Sequence, residues 1–94
     1  MARQIENDKG FLVIQCTVGE LMQIELGAMG ICDYCNNADL SGYIPCVLGH
    51  KWYCNKCYHE WIQRAVNYPD DKEFEYRVFA DFKRRFVNAK LWSE

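Results

Sequence analysis

The 94-residue sequence lacks an excess of charge of either sign. Eleven basic and thirteen acidic residues leave a formal net charge of −2. The balance is also local: residues 1–31 carry two basic and four acidic groups, residues 32–69 three of each, and residues 70–94 six of each. A basic field across a domain is the usual electrostatic signature of nucleic-acid binding. Its absence argues against a nucleic-acid surface that covers the whole domain.

The sequence also lacks the apolar segments that direct a chain to or across a membrane. No apolar run approaches the ~20 residues of a membrane span. Residues 1–10 are polar and charged, with neither the apolar region nor the cleavage pattern of a secretory signal. We therefore expect a reducing, cytoplasmic setting, in which paired cysteines act as metal ligands or redox pairs rather than as a disulfide framework.

Catalytic arrangements are missing as well. The sequence shows no Ser/His/Asp or Cys/His set with a free nucleophile, no phosphate-binding loop and no metal site with an open position. We therefore expect that the protein is not an enzyme.

Cysteine, in contrast, is abundant and regularly spaced. Two Cys-x-x-Cys pairs, Cys32/Cys35 and Cys54/Cys57, are separated by 18 residues, a spacing typical of four-cysteine zinc sites. Each short turn directs two sulfurs to one point, and two such turns complete a tetrahedron of thiolates. Four thiolates leave no position for water or substrate, so the pattern predicts one structural zinc ion per chain.

The segments around these pairs predict a single α+β domain over residues 1–94. Within residues 1–31, we expect a frayed polar start over 1–9 and a strand over 11–16. Thr17 and Glu20 form the pattern of a capping box, which predicts that a helix begins there. The N-terminal part is therefore expected to be a strand followed by a helix.

The segment 32–68 predicts a zinc module. A cysteine knuckle is followed by two predicted strands, 43–48 and 51–53, of which the first is expected at a sheet edge because of Pro45. A helix is predicted over 54–66, because its apolar residues recur on one face. Knuckle, hairpin and helix in this order are the treble-clef arrangement.

The module resembles a known family. The pattern Cys32-x2-Cys35-x10-Cys46-x3-His50-x3-Cys54-x2-Cys57 is similar to the first six ligand positions of a RING finger, and LIM domains are a weaker match. In that family the first and third pairs share one zinc ion. The second ion would need Cys46, His50 and a closing Cys-x-x-Cys, which is missing. The resemblance therefore implies a treble clef with a single zinc ion.

The sequence makes weaker predictions for the two remaining cysteines and for both histidines. We expect Cys16 and Cys46 to pack as small buried residues, and His50 to lie in a solvated turn. His59 follows Cys57 by two residues and is an alternative ligand, or a donor to a ligand sulfur.

The segment 70–92 predicts a C-terminal helix. Acidic residues precede basic ones along it, as the helix dipole favours. The helix carries an apolar stripe that comprises Phe74, Val78, Phe79, Phe82, Phe86 and Val87. This stripe is expected to pack on the zinc module and the N-terminal helix, unless part of it is left uncovered for a partner or a homodimer. The run Lys83-Arg84-Arg85 is either a solvated helix end or a nucleic-acid contact.

These patterns leave three functions open. A protein-interaction or adaptor module is favoured by the balanced charge and the many aromatic residues. The alternative is a nucleic-acid-binding regulator, and a RING-type ubiquitin-ligase-like module ranks third.

Overall fold

A five-stranded sheet is the framework of the fold. The computed structural model describes residues 1–93, in which the strands lie in the order β4-β3-β2-β1-β5. The strands are β1 (Ala2–Ile5), β2 (Val13–Thr17), β3 (Ser41–Pro45), β4 (Tyr53–Cys54) and β5 (Trp92–Ser93). All neighbouring strands are antiparallel except β1 and β5.

Three α-helices accompany the sheet, which confirms the expected α+β class. They are α1 (Val18–Ile24), α2 (Asn55–Arg64) and α3 (Lys72–Asn88). Short 3-10 helices cover Cys46–Leu48 and Pro69–Asp71. Within residues 1–93, none of the helices combines the length and the apolar character that crossing a bilayer requires.

The expectation of a frayed polar start is wrong. Residues 2–5 form β1, which pairs with β2 in the register Arg3–Gln15 and Ile5–Val13. Ala2 is fully buried, while Arg3 lies outside and donates from Nε to Gln15 Oε1 at 3.1 Å. The strand is too short to show a hydrophobic alternation, and its stability comes from pairing with its neighbours.

The capping box at the start of α1 is confirmed. Thr17 Oγ1 accepts a hydrogen bond from Glu20 N at 3.2 Å, and Thr17 N donates to Glu20 Oε1 at 2.8 Å. A cap of this kind contributes about 0.5–2 kcal/mol, which supports a helix of only seven residues.

The predicted hairpin is shorter than expected and Pro45 is not at an edge. β3 lies between β2 and β4 and ends at Pro45, and the 3-10 helix follows it. Pro45 lies opposite Val13 of β2. Just beyond this pair, Cys46 N donates a backbone hydrogen bond to Leu12 O at 3.1 Å. The proline therefore terminates a central strand, where its missing N–H is tolerated.

The C-terminal helix ends at Asn88, earlier than the predicted boundary at residue 92. Lys90 adopts a left-handed backbone conformation with φ of 60°, and Trp92–Ser93 then pairs with β1.

The expected packing of the apolar stripe is present, although Phe74 and Val87 are about half exposed. The main core combines residues from the sheet, α1, α3 and the segment 46–52: Ile14, Leu21, Ile44, Cys46, Trp52, Val78, Phe79, Phe82 and Phe86.

A buried carboxylate ties α3 to the sheet. Glu75 is 1% exposed, and its Oε2 accepts a hydrogen bond from Leu12 N at 2.9 Å. Lys72 Nζ lies 3.3 Å from the other oxygen. Both oxygens therefore have a partner, as a buried charge requires.

Candidate metal centre

The four paired cysteines converge on one point. The Sγ atoms of Cys32, Cys35, Cys54 and Cys57 all lie within 4.8 Å of one another, and Cys35 Sγ is 3.8 Å from Cys54 Sγ. A tetrahedron with metal–sulfur bonds of about 2.3 Å has sulfur–sulfur edges of about 3.8 Å. A disulfide would bring two sulfurs to about 2.05 Å, and all six cysteines are free thiols. The geometry fits a tetrahedral metal ion.

Backbone hydrogen bonds shape the first pair into a tight turn. Asn36 N donates to Cys32 O at 3.0 Å, and Cys32 N donates to Asn37 O at 2.9 Å. Asn36 has a φ of 64°, a conformation that asparagine tolerates better than most residues. Inside the turn, Tyr34 N lies 3.4 Å from Cys32 Sγ and donates to it. The turn thus presents both sulfurs and stabilises negative charge on one of them.

The second pair lies where β4 meets α2. Cys54 is the N-cap residue of α2, and Cys57 lies in its first turn. The Cys54 side chain makes no capping hydrogen bond, so its sulfur is available to a metal. The exposed N–H groups and the dipole at a helix N-terminus favour thiolates.

Asp33 connects the cysteine turn to the core. Its backbone N donates to Trp52 O at 2.9 Å, and Trp52 N donates back to Asp33 Oδ2 at 2.7 Å. Trp52 is only 4% exposed and belongs to the main core. The position of the metal site is thereby fixed relative to the sheet. No sequence signal indicated this role of Asp33, because its partner is 19 residues away.

The thiols of the cluster have opposing electrostatic tendencies. Burial raises the pKa of Cys57 and of Cys54, and neighbouring thiols raise that of Cys57 further. Burial also acts to raise the pKa of Cys32, but backbone N–H groups of Cys35, Cys54 and Tyr34 outweigh it and lower this pKa to about 7. Four thiolates at this separation repel one another, so a bound cation is what allows all four to be deprotonated.

The donor set indicates what the site can do chemically. Three of the four cysteines are buried and Cys35 is half-buried. Soft thiolate donors in a tetrahedral S4 arrangement are typical of zinc or of iron–sulfur centres. Four protein ligands complete the shell of a tetrahedral ion, so the arrangement is of the structural type.

Cys46 and His50 do not join the cluster. Cys46 is fully buried with Sγ 3.7 Å from Ile44 O, and burial raises its pKa to about 12. The His50 ring lies 5.0 Å from the Phe82 ring, and its Nε2 is 3.7 Å from Asp81 Oδ2. Among residues 1–93, the four paired cysteines form the single group placed to hold a metal ion.

His59 and Cys16 also lie apart from the ligand sulfurs. His59 Nδ1 is 2.8 Å from Asn55 O in the preceding helical turn. Nδ1 is therefore occupied by a backbone carbonyl, and the donation from this ring to a ligand sulfur stays a prediction for Nε2. Cys16 is a small buried residue, as expected; burial first, and Glu20 second, raise its pKa to about 12.

Comparisons of the chain with models of known protein families, with characterised proteins and with solved structures found no match. The likeness to RING fingers therefore depends on the spacing of cysteine and histidine alone.

Proposed function

We propose that the protein is a structural zinc-binding module of the treble-clef type that acts as a protein-interaction or adaptor domain. The observation that carries the proposal is the closed cluster of four cysteine sulfurs within 4.8 Å. Zinc has no redox chemistry and is the common ion of closed S4 sites. The order of cysteine turn, paired strands β3 and β4, and helix α2 supports the treble-clef assignment.

The interaction role is supported by apolar side chains on the surface. Twelve large apolar residues among residues 1–93 are more than 40% exposed. Single exposed apolar residues are normal, but concentrations of them mark interaction surfaces. A closed metal shell also supports a role in holding a surface rather than in catalysis.

The nucleic-acid alternative is disfavoured by the surroundings of the basic run. Arg84 and Arg85 both contact Asp81, and Arg85 is also 3.7 Å from Glu25. Lys83 Nζ lies over the ring of Trp92, 5.7 Å from its centroid. Acidic partners within the protein thus offset much of the charge that a phosphate backbone would need.

The ubiquitin-ligase alternative ranks third. A second RING-type zinc ion would use Cys46 and His50, which lie outside the sulfur cluster. Cys46 is buried in the core, and its thiol remains protonated at neutral pH.

Affinity capture from native cell extract, with and without nuclease, tests the proposed function. We expect a protein partner that persists after nuclease treatment and that zinc-loaded protein captures better than chelator-treated protein. In parallel, a gel-shift titration should show no better than weak, non-specific duplex binding, with Kd about 10⁻⁴–10⁻⁶ M at physiological salt. Recovery of nucleic acid alone, or nanomolar sequence-dependent binding, would reverse the order of the two functions.

A further inference from the structure

The loop that carries the first cysteine pair, residues 30–39, closes on itself through backbone hydrogen bonds. Asp39 N donates to Gly30 O at 3.0 Å, and Cys32 N donates to Asn37 O at 2.9 Å. An isolated antiparallel bridge lies between these two bonds. Because these contacts run within the loop, they shape it without setting its position against the second cysteine pair.

Two residues of this loop, Asp33 and Tyr34, reach the residues around the second pair. Asp33 N donates to Trp52 O at 2.9 Å, and Trp52 N donates to Asp33 Oδ2 at 2.7 Å. The ring of Tyr34 has its centroid 5.8 Å from that of Tyr53, and Arg64 Cζ lies over it at 5.4 Å. Both residues between the first two cysteines therefore link the two halves of the metal site.

The bond that Asp33 accepts is the stronger of these links. Tyr34 is 60% exposed, so water competes with its ring contacts. The hydrogen bond from Trp52 N is partly buried. A carboxylate that accepts a backbone N–H makes a charge-assisted bond, which is about twice as strong as a neutral one. The position of the loop therefore depends mainly on Asp33.

The other end of this link, Trp52, is anchored in the main core. Trp52 is 4% exposed and belongs to the same core as Ile44 and Phe82. Its indole ring covers Gly42, where a Cβ would collide with the ring. None of the four paired cysteines belongs to this core. The anchor is therefore built without the metal ligands.

We propose that Asp33 is a positioning residue of the metal site, which holds the first cysteine pair against the second before the metal ion binds. The fraction of molecules that are ready to bind then stays close to one. Apparent affinity falls in proportion to this fraction, so loss of the Asp33 link weakens binding although all four ligands remain. This inference rests on the proposed zinc-binding function and deepens it, because it assigns part of the metal affinity to a residue that is not a ligand.

Metal titrations of three variants test the inference. Asp33→Ala removes the carboxylate, whereas Asp33→Asn keeps an oxygen that can accept from Trp52 N. Asn67→Ala is the matched control, because it removes a hydrogen bond from Asn67 Nδ2 to Lys9 O beyond the C-terminal end of α2, and the cysteines lie at its N-terminal end. In competition with a colorimetric chelator, zinc affinity should fall about 10-fold in Asp33→Ala, the loss of one hydrogen bond to a charged group. It should change less than ~3-fold in the other two variants.

Cobalt(II) separates positioning from ligation, because its ligand-field bands report on the donor set and its geometry. We expect Asp33→Ala to reach the wild-type spectrum at saturation, but at a higher cobalt concentration. Asn67→Ala should lower the melting temperature without moving this midpoint. Hydrogen exchange of the Trp52 amide adds a measurement on the wild type alone. This amide should stay protected in chelator-treated protein, and zinc should slow its exchange further, since coupling between two sites is reciprocal.

Four results would overturn the inference: wild-type affinity in Asp33→Ala, equal losses in Asp33→Ala and Asp33→Asn, a changed cobalt spectrum in Asp33→Ala, or an unprotected Trp52 amide in the chelator-treated wild type. The amide measurement decides the question even if Asp33→Ala does not fold. Wild-type protein that binds neither zinc nor cobalt would refute the zinc module itself. A four-thiolate spectrum in the wild type with no effect of Asp33→Ala would remove this inference alone.

Discussion

Replacing Cys54 by serine removes one of four sulfurs from the predicted zinc shell. Cys54 is 7% exposed, its sulfur lies 3.8 Å from that of Cys35, and it occupies the N-cap position of α2 without a side-chain capping hydrogen bond. Serine still suits an N-cap position, so local helix propensity is preserved while the thiolate is lost. The variant therefore isolates the contribution of the metal.

The expected loss of zinc affinity in Cys54→Ser follows from the number of ligands. Structural zinc contributes about 10–16 kcal/mol of apparent binding free energy in finger peptides. An equal share for each of four sulfurs is about 2.5–4 kcal/mol, and each 1.4 kcal/mol corresponds to a factor of ten. We therefore expect zinc affinity to fall about 10²–10³-fold. At ~0.05–0.15 kcal/mol per residue, a 94-residue domain has about 5–14 kcal/mol of stability, so the melting temperature should also fall.

Cys46→Ser is the control for this experiment. Cys46 is buried but lies outside the sulfur cluster, and a serine hydroxyl there can donate to Ile44 O as the thiol does. Elemental analysis should give one zinc per chain for the wild type and for Cys46→Ser, and competition with a colorimetric chelator should give equal affinities. Two zinc ions in the wild type, falling to one in Cys46→Ser, would refute the single-site assignment. Wild-type affinity in Cys54→Ser would refute the ligand assignment.

Three further changes test the fold. Glu75→Leu should lower the free energy of unfolding by about 1–3 kcal/mol, because it leaves the partly buried Leu12 N–H without its side-chain partner. Glu75→Gln should lower the free energy of unfolding by less in the same urea titration. Gly42→Ala should destabilise the sheet, since its Cβ would lie 2.6 Å from Tyr53 O, and a melting temperature equal to the wild type would contradict this. Burial acts to raise the pKa of Asp81, but two neighbouring arginines outweigh it and lower this pKa. Ionised Asp81 therefore stabilises the folded protein fully at pH values above the ordinary aspartate pKa of ~3.9, and this stabilisation is lost as the pH falls through the lowered pKa. The difference in urea midpoint between wild type and Asp81→Asn should shrink as the pH falls below about 4.

The cysteine cluster was predictable from sequence because its geometry is local. Each Cys-x-x-Cys turn sets the direction of two sulfurs, and only the meeting of the two turns depends on the fold. The capping box at Thr17 was predictable for the same reason, since both partners lie within one helical turn. The order of secondary structure between Cys32 and Arg64 followed from these signals, although the hairpin is shorter than its apolar pattern indicated.

Features that depend on distant partners could not be predicted from the sequence. β1 was missed because its polar residues become a strand only by pairing with β2 and β5. Trp92 continues the helical periodicity, yet the turn at Lys90 and the parallel pairing with Ala2 place it in a strand. Glu75 resembles a solvated helix residue, and its burial depends on a hydrogen bond to an amide 63 residues earlier in the chain.

The parallel pairing of β1 and β5 has a consequence for how the module can be combined with other proteins. Ala2 is opposite Trp92 and Arg3 opposite Ser93, and neighbouring strands are about 4.8 Å apart. The chain thus enters and leaves the sheet at adjacent points on one edge. A loop of a host protein could be replaced by residues 2–93 without moving the two ends of that loop apart, so this domain is suited to insertion as well as to end-to-end fusion.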